Sequence, residues 1–184
     1  RTLGGRFKIT GHIGEGAMAS VFRGVDVSRP EGGDVAVKVM HPHLAADRTF
    51  TARFEREAQA ASMVKHPNSV AILDVGEEQG IHYIIMELCA GKDLRDTLKL
   101  ERRLPEVRAV RIVMSICQAL GAAHQLGVVH RDLKPENVMV LFDPRSGTDQ
   151  VKVLDFGIAK LVDAQPKIRA TGSDSEPPAA LTQM

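Results

Sequence analysis

The stretch VVHRDLKPENVMVL, residues 128–141, sets two apolar flanks around His130, Arg131, Asp132, Lys134, Glu136 and Asn137. A loop held by strands on both sides can aim an Asp at a hydroxyl proton, a Lys at phosphate oxygens and an Asn carbonyl oxygen at a metal ion. Asp155 ends another apolar run, VKVLD, and offers a second hard oxygen ligand suited to Mg²⁺. An isolated Asp after a strand is usually a turn former. Turn chemistry alone does not account for all of these groups in this order.

Two further elements carry possible phosphate chemistry. In HIGEGAMASVF, Gly14 and Gly16 lie between two β-like runs, where missing Cβ atoms let backbone N–H groups approach a phosphate. Two glycines in a hairpin more often make only a turn. The spacing does not suit a Walker loop, which needs Gly-Lys-Ser/Thr entering a helix, and it opens no helix as a dinucleotide fingerprint does. Lys38 stands in Val35-Ala36-Val37-Lys38-Val39, a run so apolar that the ammonium needs a partner or an anionic ligand. A solvent-facing edge lysine is the ordinary alternative. Glu57 supplies the counter-charge if its helix packs across the sheet.

The elements that must hold these groups follow from the period of the apolar residues. From Arg6 to Met40, FKITGHI, SVFRGV and VAVKVM read as an antiparallel meander. Over 49–65 the period becomes helical, with Phe50, Phe54, Ala58, Ala61 and Met63 or Val64 on one face, and it stops before His66-Pro67-Asn68. SVAILDVGEEQGIHYIIMEL adds two strands around a turn. DLRDTLKL is a short helix, and PEVRAVRIVMSICQALGAAHQLG a long one from Pro105 to Gly127. Val110, Val113, Cys117, Leu120 and His124 form the stripe expected to face its core. VMVLF and VKVLDF frame the sequel as short strands, and the chain from about Val162 reads as a mobile loop or tail. His41-Pro42-His43 is read as a surface turn before a helix rather than a metal site.

Composition narrows the classes. The 184 residues, 43% of them hydrophobic, suit one domain or two small lobes around a cleft. A net charge of +1 suggests no nucleic-acid footprint. Cys89 and Cys117 make neither a disulfide framework nor a zinc cluster and fit a reducing compartment. No run has the length of a membrane span. With no initiator Met and an end at Met184 in a polar tract, the sequence is expected to be a piece of a longer chain.

In GEGAMASV, VAVK, FEREA, HRDLKPEN and DFG, taken in that order, the chain resembles the eukaryotic-type protein Ser/Thr kinases, most of all their bacterial members. The resemblance runs from about Arg6 to Lys160. It implies an α+β, bilobal fold: an N-lobe (1–88) of antiparallel sheet and helix C, a hinge with the first part of a mainly helical C-lobe (89–161), and a truncated activation segment (162–184). It also implies the cofactors ATP and Mg²⁺, with Mn²⁺ as a substitute, and protein substrates bearing Ser or Thr. Gly14 and Gly16, with Ile13 beside them, would cover the phosphates, and Val21 and Ala36 would roof the adenine. Lys38 would hold the α- and β-phosphates and pair with Glu57. Met86 matches the gatekeeper; Glu87 and Cys89 would meet the adenine edge through backbone groups, Asp93 the ribose, and Met139 the adenine floor. Asp132 would take the hydroxyl proton, Lys134 steady the γ-phosphate, and Asn137 and Asp155 bind the metal. Arg131 would receive a phosphorylated activation segment, with Thr182 the first candidate and Thr171, Ser173 and Ser175 weaker ones.

The chain departs from the pattern at two points. Ala19 replaces the third glycine, a small residue that still permits the hairpin. The sequence stops at Met184 inside the activation segment, without the Ala-Pro-Glu element and later helices, which would leave an apolar face of the long helix uncovered. For these residues alone the expectation is weak ATP binding and negligible turnover. The remaining expectations are a cytoplasmic kinase domain whose parent is membrane-anchored or soluble, self-association for autophosphorylation, and no nucleic-acid partner. The alternative is a nucleotide-binding pseudokinase-like regulator, which loss of Lys38, Asp132 or Asp155 would have favoured. A small-molecule phosphotransferase is disfavoured by Leu133-Lys134-Pro135-Glu136.

Overall fold

A computed structural model describes residues 1–156 except 30, 32, 144 and 146, and does not describe the side chains of Glu57 and Asp143. The expected activation segment, with Thr171, Ser173, Ser175 and Thr182, lies outside the described residues.

The first half forms one antiparallel sheet: β1 (Thr2–Leu3), β2 (Phe7–Glu15), β3 (Ala19–Asp26), β4 (Asp34–Met40), β5 (Ile72–Glu78) and β6 (Ile81–Glu87), in the order β1-β2-β3-β4-β6-β5. β4 is central and covered on both faces, which is why VAVKVM is nearly all apolar. Strand alternation sends Val35 and Val37 to one face, with Leu3, Phe7, Tyr83 and Ile85. Ala36 and Met40 go to the other, with Ile84 and Met86.

That second face is roofed by helix. After the short α1 (Pro42–Ala45), α2 (Arg48–Ser62) begins at Asp47, whose side chain accepts from the N–H groups of Thr49 and Phe50. Phe50, Phe54, Ala58 and Ala61 recur at helical spacing and are all buried. Beyond the helix it is Val64 that is buried, at 3% exposure, while Met63 points outward.

The second part holds β7 (Lys92–Asp93), α3 (Leu94–Glu101), α4 (Glu106–Gln125), a 3₁₀ turn over Pro135–Asn137, β8 (Val138–Asp143) and β9 (Thr148–Val153). β7, β8 and β9 form a small antiparallel sheet. α4 starts after Pro105 and stops before Gly127, whose φ of 72° suits a residue without Cβ. The expected core stripe of α4 is incorrect. Val110, Val113, Cys117 and His124 are not buried, and the helix instead buries Ile112, Ala119 and Ala123, with Ile116 and Leu120 packed beside them. Both stripes are periodic. Small Ala119 and Ala123 let the backbone approach Val128 and Val153, and that contact selects the face.

Residues 68–71 cross between the two parts. Val70 N–H donates to the Val153 carbonyl (2.9 Å), Val153 N–H to the Asn68 carbonyl (2.8 Å), and Ser69 bridges Val153 in parallel. Asn68 Nδ2 also donates to the Val151 carbonyl at 2.8 Å. The connection after α2 is thereby bonded to β9.

Candidate active site

The register of the first sheet lines up one face of the cleft. Gly14 lies opposite Val21, Val21 opposite Lys38, and Lys38 opposite Ile84. Two residues along, Ala36 faces Met86. Val21, Ala36, Lys38 and Met86 therefore share the face that looks toward α2 and the second part of the chain. At the tip of the β2–β3 hairpin, Gly16 N–H donates to the Ala19 carbonyl at 2.9 Å, and the register slips between His12 and Gly14. A Cβ at Gly14 would touch nothing within 4 Å. Packing does not require this glycine. Ile13, in the same strand, is exposed.

Lys38 is only 9% exposed, and its Nζ donates to Asp155 Oδ1 at 2.7 Å. Burial of an ammonium on an apolar face is tolerable because this carboxylate meets it. Glu57 lies in α2, and its pairing with Lys38 falls outside the described side chains. Asp155 has φ of 55° and Arg131 φ of 62°, left-handed conformations that bend the chain sharply at the two ends of the site.

The loop 130–137 is held from behind. The ring of His130, 3% exposed, lies 2.8 Å through Nε2 from the Leu154 carbonyl and packs at 5.1 Å on Phe156. Leu154 N–H donates to the Asn137 carbonyl at 2.9 Å, which sets Asn137 beside the residues leading to Asp155. Asn137 Nδ2 donates to the Asp132 carbonyl (2.8 Å) and to Asp132 Oδ2 (3.1 Å). With the amide nitrogen committed, its carbonyl oxygen is the end left for a cation. Lys134 Nζ lies 2.7 Å from Asp132 Oδ2. That hydrogen bond, with a smaller one from Asn137, lowers the Asp132 carboxyl below its ordinary value despite some burial. The same bond raises the Lys134 amine, against burial. Asp132 is thus an ionised carboxylate with the Lys134 ammonium beside it.

Near the end of β6, Met86 is buried against Ala36 and Ile84. Glu87 N–H donates to the Ala71 carbonyl and Glu87 Oε1 accepts from Ala71 N–H, both at 3.0 Å. Cys89 is half-buried; burial first, then the Glu87 carboxylate, pushes its thiol up to about 11 against the opposing charge of Lys152. It is therefore an inert thiol at neutral pH. Asp93 pairs across the small sheet with Met139, so the expected ribose and adenine-floor positions adjoin. One Asp93 oxygen caps α3, accepting from Asp96 N–H at 2.7 Å.

The donor set fits a nucleotide with a divalent cation: apolar side chains above and below, an open glycine hairpin, a buried lysine, and oxygen from Asn137 and Asp155. Among the described residues no group of three His, Cys, Asp or Glu could hold a metal ion. A hard cation bound by few protein oxygens and completed by phosphate and water suits that arrangement. His41 precedes the short helix α1 and its ring lies 2.8 Å from Glu15, so Pro42 and His43 open a helix where a turn was expected. A groove of about 610 Å³ lies away from this site, between α4 and the β8–β9 hairpin, where Arg108 joins Asp149 to Glu101. Sequence reasoning missed the bond from Asn68 to Val151 and the ion pair of Lys152 with Glu87. Asn68 was visible only as part of a helix stop, and Lys152 only as the polar member of an alternating strand. Among the described residues no helix is long and apolar enough to cross a membrane.

Comparison with known proteins adds independent findings. The family model described as "Protein kinase domain" matches residues 7–176. The serine/threonine-protein kinase pkn3 of Myxococcus xanthus is 48% identical over 166 residues, covering 89% of this chain and 30% of the relative. The serine/threonine-protein kinase PknB of Mycobacterium leprae is 39% identical over 175 residues, covering 93% and 27%. The crystal structure of the Mycobacterium tuberculosis PknI kinase domain superposes with a TM-score of 0.74 at 34% identity, covering 86% of this chain and 62% of that one. The chain thus spans less than a third of the length of these curated relatives.

Proposed function

Because this chain belongs to the protein kinase domain family, whose members use ATP and a divalent metal, we propose that the protein containing it is a protein Ser/Thr kinase. It would transfer the γ-phosphoryl group of ATP to Ser or Thr hydroxyls of proteins. The observation that carries this reading is the convergence of two distant segments. Lys38 of the sheet meets Asp155 at 2.7 Å, while Leu154, its neighbour, is bonded to the loop that bears Asp132, Lys134 and Asn137.

In the proposed reaction Asp132, ionised and held by Lys134 and Asn137, accepts the proton of the substrate hydroxyl. The hydroxyl oxygen forms its bond to the γ-phosphorus as the bond to the bridging oxygen of ADP breaks. Lys134 steadies the phosphoryl oxygens from beside the base. Lys38 holds the α- and β-phosphates, Gly14 and Gly16 let the hairpin backbone close over them, and Ile13, Val21, Ala36, Met86 and Met139 enclose the base. Glu87 and Cys89 offer backbone groups to its edge, and Asp93 stands at the ribose. Asn137 and Asp155 would hold Mg²⁺, replaceable by Mn²⁺, which when bound neutralises phosphate charge.

We assign residues 1–88 to an N-lobe, 89–161 to the hinge and partial C-lobe and 162–184 to the activation segment. Glu57 is the expected partner of Lys38 in the active arrangement, and Arg131 the receiver of a phosphate on Thr182. The kinase domain would work in the cytoplasm. The test is transfer of label from γ-labelled ATP to a generic Ser/Thr protein by the intact protein, with Asp132→Asn as the companion. Label on Ser or Thr that disappears in the variant supports the reading. Undiminished labelling by the variant sinks the assignment of the base.

A further inference from the structure

We propose that His41 and Glu15 latch the glycine hairpin and make its hold on the nucleotide pH-dependent, an assignment that rests on the kinase reading above. His41, just past the end of β4, grips both arms of the hairpin tip. Its backbone N–H donates to the Met18 carbonyl at 2.9 Å, and its ring Nε2 lies 2.8 Å from Glu15 Oε1. Glu15 ends β2 between Gly14 and Gly16, and Met18 directly precedes β3. One residue thus spans the turn that Gly16 closes onto Ala19.

The Glu15 carboxylate is engaged through both oxygens. Oε1 also accepts from Ser20 Oγ at 3.0 Å, and Oε2 lies 3.1 Å from His12 Nε2. The His12 bond first, then the Ser20 bond and, against some desolvation, His41 hold this carboxyl below its ordinary value. An ionised carboxylate only accepts, so each imidazole nitrogen facing it carries a hydrogen. A neutral ring can supply that hydrogen, and an imidazolium supplies it in a stronger, charge-assisted bond. The His41 side chain is 19% exposed and that of His12 52%, so solvent screens the His41 contact less.

Histidine changes charge near pH 6.5, so the latch tightens as pH falls through that range and keeps only neutral bonds above it. Among the described residues, the titratable groups facing His41 are Glu15 and, behind it, His12 from β2, with His43 of α1 at 5.6 Å between ring centroids. β3 contributes the Ser20 hydroxyl at 3.4 Å. A hairpin already held over the phosphate site needs no ordering when the nucleotide arrives, and preorganisation of this kind appears as affinity. None of His12, Glu15, Ser20 and His41 is buried, so each variant below is expected to fold.

The experiment is a calorimetric titration of the intact protein with Mg²⁺ and a non-hydrolysable ATP analogue at about pH 6 and about pH 8, on either side of the histidine range. The parent is compared with His41→Gln, Glu15→Gln and, as a control, His124→Gln, an exposed histidine in the last turn of α4. The parent is expected to bind roughly threefold tighter at the lower pH, the effect of one bond becoming charge-assisted. His41→Gln loses most of that difference and binds at both pH values as the parent does at the higher one. Glu15→Gln loses it too and is roughly threefold weaker than the parent at the lower pH. His124→Gln follows the parent, which cancels the titration of the ligand itself. In the label-transfer assay KM for ATP moves with these affinities while kcat at saturating ATP does not. If the imidazoles attracted the phosphates directly, removing the Glu15 charge would strengthen binding, so tighter binding by Glu15→Gln overturns the latch. A pH difference that His41→Gln retains overturns it as well. A parent that binds equally at both pH values overturns the latch and leaves the kinase reading standing. A parent that binds no nucleotide at either pH overturns the kinase reading and this assignment with it.

Discussion

Asp132 is held by two donors on one oxygen, and each contributes to keeping it ionised. Replacing it with Asn keeps the shape and most of the hydrogen bonding but removes the proposed base. Phosphoryl transfer by the intact protein is expected to fall by about 10²-fold or more while the affinity for ATP, measured by titration, changes little. A second residue test concerns Asp26. This fully buried carboxylate accepts from Arg6 at 2.6 and 2.9 Å, and that hydrogen bond, reinforced by Ser28, holds its carboxyl well below the ordinary range. A depressed folded-state value means that the stabilisation is present above the unfolded carboxylate value of about 4 and is lost as pH falls below it. Arg6→Met is thus expected to lower Tm by roughly 5 °C at pH 7, with the gap to the parent narrowing below about pH 4. Thermal melts at a series of pH values check both statements; a gap that grows in acid contradicts the linkage. At this scale the chemistry was legible because HRDLKPEN and DFG pack several rare demands into few residues. Lys38 was legible as a lysine needing a partner. That Asp155 is its described partner was not, since 117 residues separate them.

At the scale of elements, α2 supports Lys38 from behind by filling the sheet face with Phe50, Phe54 and Ala58. Phe54→Ala removes a side chain only 2% exposed and is expected to cost about 3–5 kcal/mol in chemical denaturation. Asp47→Ala removes only the cap and is expected to cost about 1 kcal/mol, with a loss of helical circular dichroism confined to that size. Similar values for the two variants would contradict the division of labour between packing and capping. The buried face of α2 was readable because large aromatic residues mark it unambiguously. That of α4 was not. Its buried residues include two alanines, while Val110, Val113 and Met114 stand outside, so hydrophobicity pointed to the wrong side. Burial there is decided by how closely the backbone can approach β9, and a single helix carries no record of its neighbour.

For the whole molecule, the change of period along the chain made the sheet-then-helix order legible, while the bilobal α+β fold was what the kinase resemblance implied. The cross-lobe bonds at 68–71 were not, because a backbone hydrogen bond leaves no trace in side-chain pattern. The outward face of α4 has a measurable consequence. Val107, Val110, Val113 and Met114 are each at least 57% exposed on adjoining turns. The 184-residue chain is expected to self-associate at tens of micromolar concentrations. Val110→Lys with Met114→Lys is expected to lower its sedimentation-average mass toward 20.0 kDa. An average mass that the two lysines leave unchanged removes this face as the cause.

The pairing of Val70 with Val153 also sets an order of events during synthesis. When α2 and its sheet have left the ribosome, the groups of Asn68, Ser69 and Val70 still lack partners that lie more than 80 residues downstream, in β9. The first lobe can collapse early, but its last connection stays open to water until β9 emerges. A nascent chain stalled before residue 151 therefore holds a lysine at position 38 with no Asp155 to meet it.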